Sequence, residues 1–369
     1  MTVSCVWKQH QAVISDCLVT SWKDVEEGTD FPYAFGSAER LVDKGLHGLF
    51  RSMVSKTCLL NERVLIGFAG TLIHAKYVVN RLLQESRFYS AQNVVDKLQY
   101  MFYEEKKFHN SLDLTIVGLV SDELSRVESF AFDFENGASR LGGNFAIGSG
   151  ARYLKEVFSL PVVVLSDSRE NAEATLSKIG HLLNNHSFSD RQFNYAIGGS
   201  YIGASFRNGV CSWVPDFTIF NFIVEVDKDE KIVRGAPAYF VNQKMIGSEV
   251  LIRRQTAWPH VGKYEGKPNS KVDYFNIVSP VYKFERHVQK MEDALFSSFD
   301  ADFFIVNSVI KNPIRTVAMS MLYNKKNKKN FPFEVKETIW TEHIINVKED
   351  LQRDMIELSF NSGYPITDP

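Results

Sequence analysis

Short runs of β-branched and apolar residues open the chain, 3–8 and 11–18, separated only by Gln9 and His10. That is hairpin spacing. The stretch 22–37 is polar and turn-rich, and 38–54 carries Leu41, Leu46, Leu49, Phe50 and Met53 at intervals that predict an amphipathic helix. A second hairpin is predicted from SKTCLL, a turn at Asn61-Glu62, and RVLIGFAG. Two helices follow, TLIHAKYVVNRLLQES and AQNVVDKLQYMFYEE, each with apolar residues three or four apart. Strand texture returns in LDLTIVGLVS, in the alternating ESFAFDFENG and in GGNFAIGSG. Two further helices, ARYLKEVF and SRENAEATLSKIGHLLNNH, precede the strands YAIGGSYIGASFRNGV and FTIFNFIVEV, which close at the turn Asp227-Lys228-Asp229-Glu230.

Antiparallel strand groups separated by helix pairs predict an α+β protein with two stacked sheets and helices outside, not a parallel βαβ sheet. The readable pattern covers 1–232, and from 233 to 369 it is less clear. In that last stretch a helix is predicted at 284–298, a strand at 302–310 and a helix near 345–357, with a lysine-rich loop at 324–330 between them.

Composition narrows the class. The formal charge of −2 argues against a nucleic-acid or membrane-surface role, and no run of eighteen apolar residues predicts a membrane span. The sequence lacks the charged start and apolar core of a secretory signal, so a cytoplasmic protein with reduced cysteines is expected. Cys5, Cys17, Cys58 and Cys211 have no metal-ligand spacing, and His181 and His186 lie five apart, on different helix faces, where a helical zinc pair needs four. No metal site is expected. The lysine loop reads as solvated, and the glycine clusters lack a nucleotide-binding context.

The candidate chemistry starts at Thr2. A threonine hydroxyl needs a base, and removal of Met1 would supply one as the free α-amine of the same residue. That amine has a reference pKa of about 7.7–8, so roughly one molecule in seven is unprotonated at neutral pH. A nearby lysine ammonium lowers the value, and a carboxylate is then needed to hold the lysine charged. Asp16 ends the second strand of the first hairpin, which folds it back toward Thr2, and Lys56 begins the next hairpin. Gly70 closes Gly67-Phe68-Ala69-Gly70, where a backbone N–H can meet an oxyanion. Ser149, in Gly148-Ser149-Gly150 at a strand-to-helix junction, can steady the amine.

This ordered set, Thr2, Asp16-Cys17-Leu18-Val19-Thr20, Lys56, Gly67-Phe68-Ala69-Gly70 and Gly148-Ser149-Gly150, resembles the proteasome β-type subunits and the bacterial HslV-type threonine peptidases. The fourteen-residue interval from Lys56 to Gly70 matches the family's lysine-to-oxyanion-glycine interval. The resemblance covers roughly 2–226, and IGFAGTLIHA and AIGSGARY look like the bacterial branch. It implies a four-layer αββα N-terminal nucleophile (Ntn) hydrolase with a C-terminal extension. By the same resemblance Thr2 is nucleophile and base, Asp16 and Lys56 tune it, Gly70 supplies the oxyanion N–H, and Ser149 assists. The Thr20 backbone pairs with a peptide or protein substrate. No cofactor is implied. The implied partners are further copies of the chain in a ring and an ATPase unfoldase.

Against the family the chain reads as one domain over 1–232 with an insertion at 22–55 and a C-terminal extension over 233–369; it departs further in a shorter first hairpin and at Asn194 and Ile197, where eukaryotic-type members carry Asp and Ser before a Gly-Gly pair. These departures keep two alternatives in view: a catalytically inactive structural or assembly subunit, and a small-molecule amidase that forms no ring.

Overall fold

The computed structural model describes residues 3–20, 50–84, 88–108, 111–159, 171–188, 198–229, 232–235, 238–259, 272–280, 301–314, 316–326, 333–337, 343–347, 353 and 364–365. The protein is a mixed α/β structure built mostly of strands in several, largely antiparallel, sheets with few helices.

The first hairpin is β1 (Val3–Trp7) and β2 (Ala12–Asp16), joined by a 3-10 turn at Lys8–His10 whose exit residue, Gln11, has φ of 45°. Every residue of both strands is buried, because both faces are covered. β3 (Leu18–Thr20) pairs with β4 (Phe50–Met53), and β5 (Thr57–Asn61) turns into β6 (Val64–Gly70). Two helices follow, α1 (Leu72–Leu83) and α2 (Ala91–Lys107), the second capped by the Ser90 hydroxyl, which accepts from Asn93 N–H. Next come β7 (Leu114–Ser121), β8 (Val127–Asp133), β9 (Ala138–Leu141) and β10 (Phe145–Gly148), then α3 (Ala151–Ser159) and α4 (Asn171–Phe188). The order continues through β11 (Tyr201–Arg207), β12 (Val210–Trp213) and β13 (Phe217–Val226).

Two five-stranded sheets result, β10-β1-β2-β11-β12 and β5-β6-β7-β8-β9. Their facing surfaces share one apolar cluster that includes Val6, Val13, Leu65, Val117, Phe145 and Phe206. α1 and α2 cover the outer face of the second sheet through Val78, Leu82 and Leu98 against Phe68, Ile116 and Phe130. α3 and α4 cover the outer face of the first sheet, where Leu154, Leu176 and Ile179 pack with Cys5, Ile14 and Tyr201.

The remaining strands are β14 (Ile232–Gly235), β15 (Ala238–Ile246), β16 (Glu249–Pro259), β17 (Val272–Ile277), β18 (Phe303–Lys311), β19 (Thr316–Asn324), β20 (Phe333–Glu337), β21 (His343–Val347) and β22 (Tyr364–Pro365). With β13 they form a ten-stranded sheet. β13 lies inside it, antiparallel to β15 and parallel to β18. This sheet packs on the other side of α4: a Cβ added at Gly180 would stand 2.7 Å from Ile305 Cγ2 and 2.8 Å from Ser320 Oγ. Covered from both sides, α4 buries even Glu173 and Lys178.

Three local expectations change. The predicted helix over 38–54 ends as a strand, because Phe50–Met53 finds a backbone partner in Leu18–Thr20; residues 38–49 lie outside the described ones. The turn of the second hairpin is Glu62-Arg63, since Asn61 is already the ladder partner of Val64. Of the range 345–357, where a helix is expected, residues 345–347 belong to the strand His343–Val347, which pairs with β20, Arg353 is helical, and the others lie outside the described residues. The strand expected at 302–310 is β18, and the helix expected at 284–298 lies outside the described residues.

Candidate active site

Asp16 ends β2 and Lys56 immediately precedes β5, so the two hairpins bring an acid and a base together from forty residues apart. Lys56 Nζ donates to Asp16 Oδ1 at 2.6 Å and to the Leu18 carbonyl at 2.5 Å. The side chains are 1% and 0% exposed. Removing two charges from water costs several kcal/mol per ion, so such a pair persists only where hydrogen bonds replace the lost hydration. Here they do. Asp16 Oδ1 also accepts from Val3 N–H at 2.9 Å, and Oδ2 accepts from Gly198 N–H at 3.0 Å. Burial pushes the Asp16 carboxyl above the usual carboxylate range, against the opposing pull of Lys56 and of the Val3 and Gly198 amides.

Beneath the pair a hydroxyl chain joins the two five-stranded sheets. Ser4 Oγ donates to the Phe68 carbonyl at 2.8 Å, so its contact with Ser15 Oγ, also 2.8 Å, makes Ser15 the donor there. Thr57 Oγ1 in turn donates to Ser15 at 2.9 Å and reaches the Ile202 carbonyl at 3.3 Å. Each hydroxyl thus gives one proton along the line Thr57, Ser15, Ser4, Phe68. The sheets approach closely at this level: a Cβ at Gly67 would lie 3.0 Å from Ser15 Oγ, Ser4 Cβ and Val13 Cγ1.

The other predicted residues lie on neighbouring elements, with no contact to the Asp16–Lys56 pair among those described. Gly70 ends β6 with φ of +124°, and an added Cβ would overlap the Asp113 carbonyl, so glycine is required there. Its strand is the one whose Phe68 N–H donates to the Lys56 carbonyl at 3.2 Å. Ser149 is exposed and follows Gly148, the ladder partner of Val3. Thr20 ends β3 opposite Phe50, beyond a register shift. Thr2, Asn194 and Ile197 lie outside the described residues. Two contributors went unread in the sequence, the Gly198 amide and the Leu18 carbonyl; of these, the Gly198-Gly199 pair ahead of a strand was the available signal.

A thiol nucleophile is disfavoured. All four cysteines are buried, and burial pushes their pKa values up, to about 12 for Cys58 and Cys211 and higher for Cys5 and Cys17. Among the described residues there is no group of three or more His, Cys, Asp or Glu side chains able to hold a metal, and no helix long and apolar enough to cross a membrane.

No protein-family model matches the sequence, and none of the characterised proteins compared with it is significantly similar.

Proposed function

We propose that the chain is an N-terminal-threonine hydrolase that cleaves peptide or other amide bonds through an acyl-enzyme. The observation that carries the reading is the buried Lys56–Asp16 pair, whose carboxylate also binds the amide of Val3, the residue bonded to Thr2. A buried charge pair held beside the leading residues, with the Asp16 carboxyl shifted by its burial, favours a chemical role over a scaffold one. The layer order of helices, sheet, sheet and helices supports a four-layer αββα Ntn architecture carrying a C-terminal extension.

In this mechanism the free amine of Thr2 takes the proton of its own hydroxyl as Oγ attacks the substrate carbonyl. A tetrahedral intermediate forms, and the Gly70 N–H stabilises its oxyanion. The C–N bond then breaks, the departing amine receives the proton held on the terminal nitrogen, and an ester to Thr2 remains. Water, deprotonated by the same nitrogen, attacks the ester and releases the acid. Lys56 disfavours protonation of the terminal amine, Asp16 keeps Lys56 charged, and Ser149 steadies the amine. The Thr20 backbone aligns the substrate strand. A cytoplasmic homo-oligomer served by an ATPase unfoldase accompanies this reading.

The test is covalent labelling with a peptide epoxyketone, followed by locating the adduct, together with the intact mass of the protein. The expected result is loss of Met1 and an adduct on Thr2 that is absent from Thr2→Ala. Retained Met1, or full turnover by Thr2→Ala, would remove the proposal.

A further inference from the structure

The ten-stranded sheet reaches the candidate site at two points. At the first, Gln243 of β15, 2% exposed, uses both ends of its amide on the start of β11. Its Oε1 accepts from Ser200 Oγ at 2.9 Å and its Nε2 donates to the Tyr201 carbonyl at 3.2 Å. Ser200 and Tyr201 are fully buried, and the Gly198 and Ser200 carbonyls both accept from Cys17 N–H, at 3.1 and 3.0 Å. The segment 198–201 is thereby held from two sides, and it carries the N–H that caps Asp16 Oδ2. Such fixing matters because Gly198 and Gly199 have φ of 132° and 76°, a backbone with wide intrinsic freedom. At the second point, Ser55 N–H donates to the Val278 carbonyl at 2.9 Å, and Val54 bridges Val278 in parallel. The next residue along, Ser279, is hydrogen-bonded to the Cys58 thiol. Val54 N–H meanwhile donates to the Cys17 carbonyl at 2.8 Å, so the backbone leading into Lys56 is gripped on both edges.

We infer that the C-terminal sheet is a working part of the site, with Gln243 as a positioning residue that keeps the Gly198 N–H on the Asp16 carboxylate. Val278 does the corresponding service for the backbone before Lys56. The inference deepens the proposed hydrolase reading and rests on Asp16–Lys56 being its tuning pair. The groups that face Asp16 are Lys56, Tyr201 on β11, Cys17 at the end of its own strand, and the Val3 and Gly198 amides. Gln243 reaches two of these, Tyr201 through its carbonyl and the Gly198 amide through the Ser200 segment, and that amide donates to Asp16 Oδ2 at 3.0 Å. Loosening it removes a donor that favours the ionised carboxylate, so the carboxyl holds its proton to higher pH.

The experiment uses the full-length protein with no substrate. Gln243→Leu, and separately the milder Ser200→Ala, are compared with wild type by the amide proton shift of Gly198 and by titration of the Asp16 carboxyl in aspartate-labelled protein. The expected result in folded variants is an upfield move of the Gly198 amide and an upward move of the Asp16 midpoint by roughly half a pH unit, about threefold in proton affinity. The acid limb of turnover should move up with it, and a purely structural role would not move a pH profile. Folded variants with an unchanged Gly198 signal and an unchanged midpoint would overturn the inference. A moved signal in a protein without turnover would sustain it while removing the hydrolase reading.

Discussion

Val3 N–H and Lys56 Nζ converge on a single oxygen, Asp16 Oδ1, at 2.9 and 2.6 Å. The carboxylate therefore links the start of β1 to the lysine in one contact. Anything that moves this oxygen moves both the leading residues and the ammonium.

Breaking the pair from one side leaves a dehydrated charge, at a cost of about 3–5 kcal/mol. Asp16→Asn is expected to lower the urea midpoint accordingly, and Lys56→Met to cost less, because the already raised Asp16 carboxyl can neutralise itself by binding a proton. The double variant should be more stable than Asp16→Asn alone. All three should lose turnover, with Lys56→Met down by about 10²–10⁴. Paired urea melts and peptide hydrolysis check both statements.

The pH dependence follows from the direction of the Asp16 shift. Its folded proton affinity exceeds the unfolded one, so its contribution to stability is full below the ordinary carboxylate value and is lost as pH rises through the folded value. In the proposed mechanism turnover needs the ionised form. The acid limb of kcat/KM is therefore expected above pH about 4, the ordinary carboxylate range, and a limb at or below that value would contradict the assignment.

Ser15→Ala removes the middle of the hydroxyl chain and leaves the Thr57 and Ser4 hydroxyls short of a partner between the sheets. Stranding buried polar groups costs about 1–3 kcal/mol, readable as a lower urea midpoint with little change in slope.

Gly70→Ala meets both a strained φ and the Asp113 carbonyl. A loss of about 1–3 kcal/mol is expected from the backbone alone, and turnover should fall further than stability accounts for, since the same N–H is assigned to the oxyanion. Equal losses of turnover from Gly70→Ala and from an equally destabilising core variant would argue against that role.

Lys178, buried in α4 with Nζ 5.2 Å from the Trp7 ring centre, has its pKa lowered by burial to about 8. Between about pH 8 and the unfolded lysine value near 10.4 the unfolded chain binds more protons, so this group makes stability rise with pH. Lys178→Met should flatten that rise in melts recorded across the interval.

Among the described residues up to 226, much was legible because periodicity and burial agree there. α1 and α2 each press one apolar face on a sheet, and hairpin spacing folds Asp16 back beside the start of β1; the meeting of Asp16 with Lys56 depends on the stacking of two sheets, and only the family resemblance suggested that meeting. The ten-stranded sheet was obscure for a physical reason. Its inner positions include Asn242, Gln243, Arg253, Asn307 and Ser308, all buried, and these polar residues erase the alternation that marks a strand. β9 hid differently: all four of its residues are exposed, so nothing distinguishes them from a loop. Phe50 and Met53 misled because their spacing fits a helix, whereas Leu18–Thr20 offers a strand partner that no local pattern reveals.

The parallel pairing of β13 with β18 joins Phe217 to Phe303, and β15 lies on the other edge of β13. A nascent chain leaving the ribosome must therefore wait for later-made segments before Gln243 and Val278 can reach their places. In the proposed hydrolase, synthesis order would therefore delay completion of the site until the C-terminal sheet has been made.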